Sequence, residues 1–428
     1  MIVLKPSSPD YKTALAALNR SAEPDPRVRE TVAKIIADIR KRGDAALIEF
    51  TETFGGPRLS QKELRVSAAE FKAAEKRVDA KTRAAVALSH TNVREFAEKS
   101  LRKSWSGKNR QGAKVGERFD PFQRVGIYVP GGTAPLVSTA IMTCTLAAAA
   151  GVPEIVVTTP ADKTAVVNPA LLHALRVAGA TEVYKVGGAQ AVAALAYGTE
   201  SLAHVLKIFG PGNAYVVEAK RQCFGRVSVD LLPGPSEILV IADASANAAW
   251  IASDLLAQAE HGHGSAVLFV TDSARKLKEV QSAFEKQLSR LTRQAHLREV
   301  AEQTTHLILV RNLAEAVKLA NGFAPEHLTI VAKDDEKLAA QIRTAGAIFL
   351  GGYSPVVAGD FVAGPSHELP TGGAGKSFPG LTVDQFQRRT SVVRLDRKSL
   401  AALLPSIQTF SEIEGLDAHG RSASIRFD

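Results

Sequence analysis

Cysteine is nearly absent from this sequence. Two residues in 428, Cys144 and Cys223, exclude a disulfide framework and any Cys-x-x-Cys metal module. Both lie in Ala- and Val-rich stretches of helical pattern, so they are expected as packing thiols in a reducing cytoplasm, with a nucleophilic Cys144 as the lesser alternative. Aromatic residues make up 6% of the chain, too few for a surface on which successive bases stack. No apolar run approaches the roughly 20 residues that cross a bilayer. Met1-Ile2-Val3-Leu4-Lys5 also lacks the long apolar core of a secretory signal. Neither a membrane nor a nucleic acid is expected as a partner.

Acidic residues are outnumbered, 44 against 53 Lys and Arg, which leaves a net charge of +9. Such a balance brings an anionic partner into consideration. The densest basic stretch, Lys99 to Arg118, sets Arg102, Lys103, Lys108, Arg110 and Lys114 around Trp105. Its Gly, Ser and Asn content reads as an exposed connection between a helix and the strand at Val125.

What the chain does have is alternation, over a length that allows two or three domains with substantial cores. Residues 1–120 read as a mostly helical region: Val32, Ile35, Ile36 and Ile39 share a face, and Ser67-Ala68-Ala69-Glu70 has the form of a capping box. From Arg124, short β-branched runs alternate with Ala-rich helical stretches up to about residue 235, and a second such series follows from 236 to about 380. That spacing predicts parallel βαβ units. The expected fold is α/β, with two doubly wound, incomplete Rossmann-like lobes and small helical segments at both termini, the last from about Ser399 within a small C-terminal domain at 381–428. No tandem period in the sequence announces a duplication.

Three glycine loops follow predicted strands: Tyr128-Val129-Pro130-Gly131-Gly132-Thr133, Val186-Gly187-Gly188-Ala189-Gln190 and Phe209-Gly210-Pro211-Gly212-Asn213. Ligands of open α/β sheets bind beyond the carboxyl ends of strands, near helix N-termini whose free N–H groups suit phosphate. Tight turns account for the same glycines, and none forms a GxGxxG fingerprint. In the second half four polar clusters each join a histidine to a carboxylate or amide. They are Gln258-Ala259-Glu260-His261, Pro325-Glu326-His327, Asp360 with His367, and Glu414-Gly415-Leu416-Asp417-Ala418-His419. Imidazole with carboxylate suits both zinc binding and acid–base work. Each cluster alone reads as well as a helix end, a turn or a solvated surface, and spacing does not show that they converge.

These segments together resemble the histidinol dehydrogenase family from the N-terminal helices to the last residues. Tyr128 to Ala134, Val186 to Ala191 and Gly210 to Asn213 carry the resemblance in the first half. Gly234-Pro235-Ser236-Glu237, Leu255 to His261, Pro325 to Leu328, His367-Glu368-Leu369-Pro370-Thr371 and Glu414 to His419 carry it in the second. The resemblance implies an enzyme of the last two steps of histidine biosynthesis, which oxidises L-histidinol through an aldehyde to the acid with two NAD and a zinc ion. It also implies a homodimer with shared active sites. On that pattern Gln258, His261, Asp360 and His419 bind zinc, His419 from the partner chain, and these four also meet the substrate. Ser236, His327, His367 and Glu414 contact substrate as well. Glu326 and His327 are catalytic, and Tyr128, Gln190 and Asn213 meet NAD.

Two positions depart from the pattern: Ser366 stands where the family usually carries Asn, and His263 adds a histidine beside His261. The nearest rival is a paralogue oxidising another polar alcohol, such as a sulfonated diol. A zinc hydrolase would use the same residue types without nicotinamide, and a basic nucleic-acid-binding protein would show salt-sensitive retention on DNA.

Overall fold

The structure, a computed structural model, describes residues 1–18, 25–131, 135–262 and 264–428. Two parallel sheets organise it. The first runs in the order Glu182–Tyr184, Glu154–Thr158, Arg124–Tyr128, Lys207–Phe209, Ser228–Val229. The second runs Ile2–Leu4, Thr305–Leu309, Ala266–Thr271, Glu237–Ala242, His327–Val331, Ala347–Leu350. Numbered by appearance within each half, both sheets have the same order, 3-2-1-4-5, with Ile2–Leu4 added at the outer edge of the second. The repeat that the sequence hides is therefore plain in the topology.

The strands form where predicted because their side chains are buried on both faces. All six residues of Glu237–Ala242 and of Ala266–Thr271 are buried, which is why these runs are continuously apolar rather than alternating. Helices cover both faces. The amphipathic helix Pro26–Arg42 buries Val32, Ile35, Ile36 and Ile39 and packs on Gly188–Tyr197. Its stop at Gly43 and the Ser67–Glu70 capping box, with Ser67 N–H donating to Glu70 at 2.8 Å, match the expected signals.

Two readings are corrected. The stretch from Lys99 to Arg118 is not a plain connection. Trp105–Lys108 and Lys114–Pro121 form an antiparallel hairpin that Gln387–Arg394 extends to three strands. All of Trp105–Lys108 and most of Gln387–Arg394 is exposed, so no buried face imposes the alternation by which strands are recognised. The first residues, expected within a helical region, supply strand Ile2–Leu4 to the second sheet. The C-terminal segment is helical as expected, Arg397–Glu414 and Asp417–Ser424, and strand Gln387–Arg394 precedes it. No helix among the described residues is long and apolar enough to cross a membrane.

Candidate active site

The first half offers a cavity at the carboxyl edge of its sheet. Strand Arg124–Tyr128 ends at Tyr128, and the turns after Glu182–Tyr184 and Lys207–Phe209 open the helices Gly188–Tyr197 and Ala214–Cys223. Tyr128, Gln190 and Asn213 line one cavity of about 650 Å3 together with Gly131, Gly187 and Gly188. Asn213 caps its helix, its side-chain oxygen accepting from the N–H groups of Tyr215 and Val216 at 3.1 and 3.2 Å. Gln190 is buried, and its Oε1 has no hydrogen-bond partner. Such an orphan acceptor at a helix N-terminus fits a polar ligand. Gly132, Thr133 and Ala134 of the first loop lie outside the described residues.

A buried ion pair fixes the turn that follows Lys207–Phe209. Lys220 pairs with Asp230 and donates to Gly210 O at 2.9 Å, while Gly210 N–H donates to Asp230 at 2.7 Å. Gly210 sits at φ +106°, and a Cβ there would lie 2.1 Å from Tyr128 O, so only glycine fits.

The second half uses the opposite edge of its sheet. Glu237–Ala242 and His327–Val331 are neighbouring parallel strands, so their amino ends bring Ser236 and Glu237 beside Glu326 and His327. Ser236 Oγ donates to Glu326 Oε2 at 2.5 Å, and Glu237 N–H donates to the same oxygen at 2.8 Å. His327 Nδ1 lies 3.1 Å from Glu237 O and 3.6 Å from Glu326 Oε2. Since a carbonyl only accepts, Nδ1 carries the proton and Nε2 is left toward Asp360 Oδ1 at 3.5 Å. Glu237 is the residue whose part here went unread. Besides these backbone bonds, its carboxylate accepts from Gly372 N–H at 2.6 Å. The signal was its place in Gly234-Pro235-Ser236-Glu237 immediately before an apolar run.

Charge is concentrated at this edge. Burial pushes the Glu326 carboxyl above its ordinary range, against the pull of His327 and its two hydrogen bonds. Burial also disfavours a charged His327 ring, yet Glu326 and Asp360 outweigh it and raise the ring to about 9. Asp360 would be raised by burial, but its bond to His327 and the charges of His327, His367 and His261 hold it low. His327, Asp360, Ser366 and His367 line a cavity of about 1140 Å3 whose wall includes Phe96, Tyr353 and Phe378.

Gln258 and His261 arrive at this edge for a topological reason. A connecting helix runs back against its strands, so the C-terminal end of Ala248–Ala259 lies at the strands' amino ends. Gln258 is buried with Nε2 unpartnered, and His261 is close enough for its charge to act on Asp360. Because an amide's N and O are assigned by their partners, that orphan group equally presents an oxygen donor. A helix C-terminus carries partial negative charge and favours a cation. An amide oxygen, an imidazole and a carboxylate are a donor set that fits zinc. Among the described residues no group of three or more His, Cys, Asp or Glu stands close enough to hold a metal ion. His263 lies outside the described residues.

Glu414 and His419 are not brought to this cavity within the chain. Both are exposed, and His419 lines a separate cavity of about 660 Å3 with Leu395, Arg397, Leu400 and Phe427. Their helices pack chiefly on each other.

Comparison with known proteins covers nearly the whole length of the chain. A family profile described as Histidinol dehydrogenase matches residues 18–427. The chain is 44% identical to histidinol dehydrogenase of Syntrophotalea carbinolica over 418 residues, 97% of each chain. It is 44% identical to that of Agrobacterium fabrum over 428 residues, covering 100% of this chain and 99% of the relative. The crystal structure of histidinol dehydrogenase from Elizabethkingia anophelis superposes with a TM-score of 0.95 at 32% identity, covering 100% of this chain and 98% of that one. The chain belongs to the histidinol dehydrogenase family of NAD-dependent oxidoreductases.

Proposed function

We propose that this enzyme oxidises L-histidinol through L-histidinaldehyde to L-histidine, using two NAD and one zinc ion. The observation that carries the reading is the Ser236–Glu326–His327–Asp360 chain of contacts at the amino edge of the second sheet. It joins a buried carboxylate of raised basicity to an imidazole, as two successive oxidations need.

Each oxidation removes a hydride and a proton. In the first, the carbinol O–H proton goes to His327 Nε2 as the C–H hydride leaves. The aldehyde then adds water: Glu326 takes the water's proton while His327 returns its proton to the carbonyl oxygen, which frees Nε2 again. The resulting diol loses its second hydride, again with its O–H proton to His327, which leaves the acid. Four electrons depart in all, two per hydride. When bound, NAD accepts the hydrides, and zinc orients the substrate's amine and imidazole. Gln258, His261, Asp360 and the partner subunit's His419 would hold the metal, and a cation at Asp360 would lower His327 from about 9 toward a useful base. Tyr128, Gln190 and Asn213 would meet NAD, and Ser236, His367 and Glu414 the substrate.

Support for a homodimer comes from surface left bare in one chain. On the C-terminal hairpin Phe410 is 62% and Ile413 74% exposed, while at the cavity mouth Tyr353 is 90% and Phe378 56% exposed. Apolar patches of that kind mark interfaces, and a hairpin that packs on little of its own chain suits a partner's site. The same reading divides the chain into lobes at 121–235 and 236–380 flanked by 1–120 and 381–428. Two buried, free cysteines suit a reducing cytoplasm. Counting NADH per L-histidinol consumed tests the proposal. Two per substrate, abolished by a chelator and restored by zinc, is expected. No NADH from histidinol but activity on a sulfonated diol would transfer the function to that alcohol.

A further inference from the structure

We propose that Thr139, on a helix of the first half, is a positioning residue for the reaction, its hydroxyl holding the His367 ring in the substrate cavity from across the boundary between the halves. The proposal rests on the dehydrogenase reading above and deepens it.

His367 is tethered at both nitrogens. Its Nδ1 lies 2.8 Å from the backbone oxygen of Asp360, so Nδ1 carries a proton. In the neutral ring Nε2 then holds a lone pair, and Thr139 Oγ1 stands 3.1 Å from it. The hydroxyl can donate into that lone pair or accept from Nε2–H if the ring is charged. The carboxylate of Glu368, 3.4 Å from Nε2, can only accept. Thr139 therefore keeps the ring in place in either state.

A helical threonine ordinarily turns its hydroxyl back to the preceding turn. Thr143, one turn later, does so, donating to Thr139 O at 2.6 Å. Thr139 instead reaches out of its helix, Val137–Ala149, to a residue 228 positions away, and is 2% exposed. It is part of a wider attachment: Ser366 Oγ donates to Met142 O on the same helix at 3.3 Å, and Asn92 Nδ2 donates to Val362 O at 2.8 Å. The Asp360–His367 segment is thus built onto helices of the first half. Of these contacts, Thr139 alone touches a ring that lines the cavity. Leu136, immediately before the helix, lines the cavity of Tyr128, Gln190 and Asn213, and Thr139, one turn into it, touches a ring that lines the other.

The test compares Thr139→Val, which keeps the volume without the hydroxyl, with Thr139→Ser, which keeps the hydroxyl. Thr139→Val should raise the KM for L-histidinol about tenfold, the scale of one buried hydrogen bond. The KM for NAD should stay unchanged, and Thr139→Ser should recover the wild-type value within about twofold. In parallel, the NMR signal of His367 in isotope-labelled protein, assigned by its loss in His367→Gln, should move in Thr139→Val and not in Thr139→Ser. Equal damage by Val and Ser, or equal rises in both KM values, would overturn the proposal. The NMR arm needs no substrate: if wild type leaves histidinol untouched, the functional reading fails, while an unmoved His367 signal overturns the Thr139 proposal by itself.

Discussion

At the scale of single residues, Glu326 and His327 are neighbours in sequence to which the proposed mechanism gives different tasks. On the proposed mechanism only water addition needs Glu326, so Glu326→Gln, which keeps the shape, should slow oxidation of supplied histidinaldehyde by about 10²–10⁴-fold. The histidinol-to-aldehyde step should hardly change. Following each half-reaction separately checks this, and equal losses would remove the water-activating role. Glu75 offers a test of folding rather than catalysis. Its hydrogen bond from Arg83, then that from His173, each 2.8 Å long, hold its carboxyl at about 2. A depressed folded-state value means that its stabilisation is complete above the ordinary 4.5 and is lost as pH falls toward 2. Glu75→Gln should therefore lower Tm at neutral pH, and the gap to wild type should narrow steadily as the solution is acidified. A gap independent of pH would mean that packing, not charge, is what the substitution removed.

At the scale of elements, the edges of the two sheets differ in polarity, and each suits its ligand. The first sheet presents helix N-termini to the cavity of Tyr128, Gln190 and Asn213, where an anionic nucleotide is welcome. The second presents a helix C-terminus, with Gln258 and His261, where a cation is. The general rule that ligands gather at carboxyl ends would have pointed only to the first. The C-terminal hairpin is the other element with a consequence. Replacing a well-packed interface anchor costs about 2 kcal/mol or more, so Ile413→Asp should weaken dimerisation at least about thirtyfold. Light scattering would then report the 45.5 kDa single chain at concentrations where wild type is paired. A variant that remains dimeric would show that this face of the hairpin lies outside the interface.

At the scale of the whole molecule, the proposed completion of the site by two chains makes a quantitative prediction. A chain carrying His419→Asn and one carrying Asp360→Asn should each be inactive alone. Random pairing makes half of the dimers mixed, and each mixed dimer has one of its two sites intact, so about a quarter of wild-type activity should return. No recovery after subunit exchange would mean that His419 serves its own chain.

Much of this was legible before folding. Buried strands announce themselves as β-branched runs because both faces of a parallel sheet are apolar, and Ala266–Thr271 falls where the run predicts. The polar clusters named their residues through residue type and family resemblance. What stayed hidden was whatever depends on contacts far apart in the chain. The exposed hairpin Trp105–Lys108 with Lys114–Pro121 has no buried face to pattern it. The backbone of Glu237, which holds both Glu326 and His327, acts through atoms that every residue possesses. Thr139 and His367 lie 228 positions apart, and nothing local to either encodes the other. The sequence by itself determined which segments become strands and helices, because burial and capping are written in side chains along a few residues. Only the tertiary structure decided which strand ends meet, and so which edge holds the chemistry, because that follows from the order of strands across a sheet.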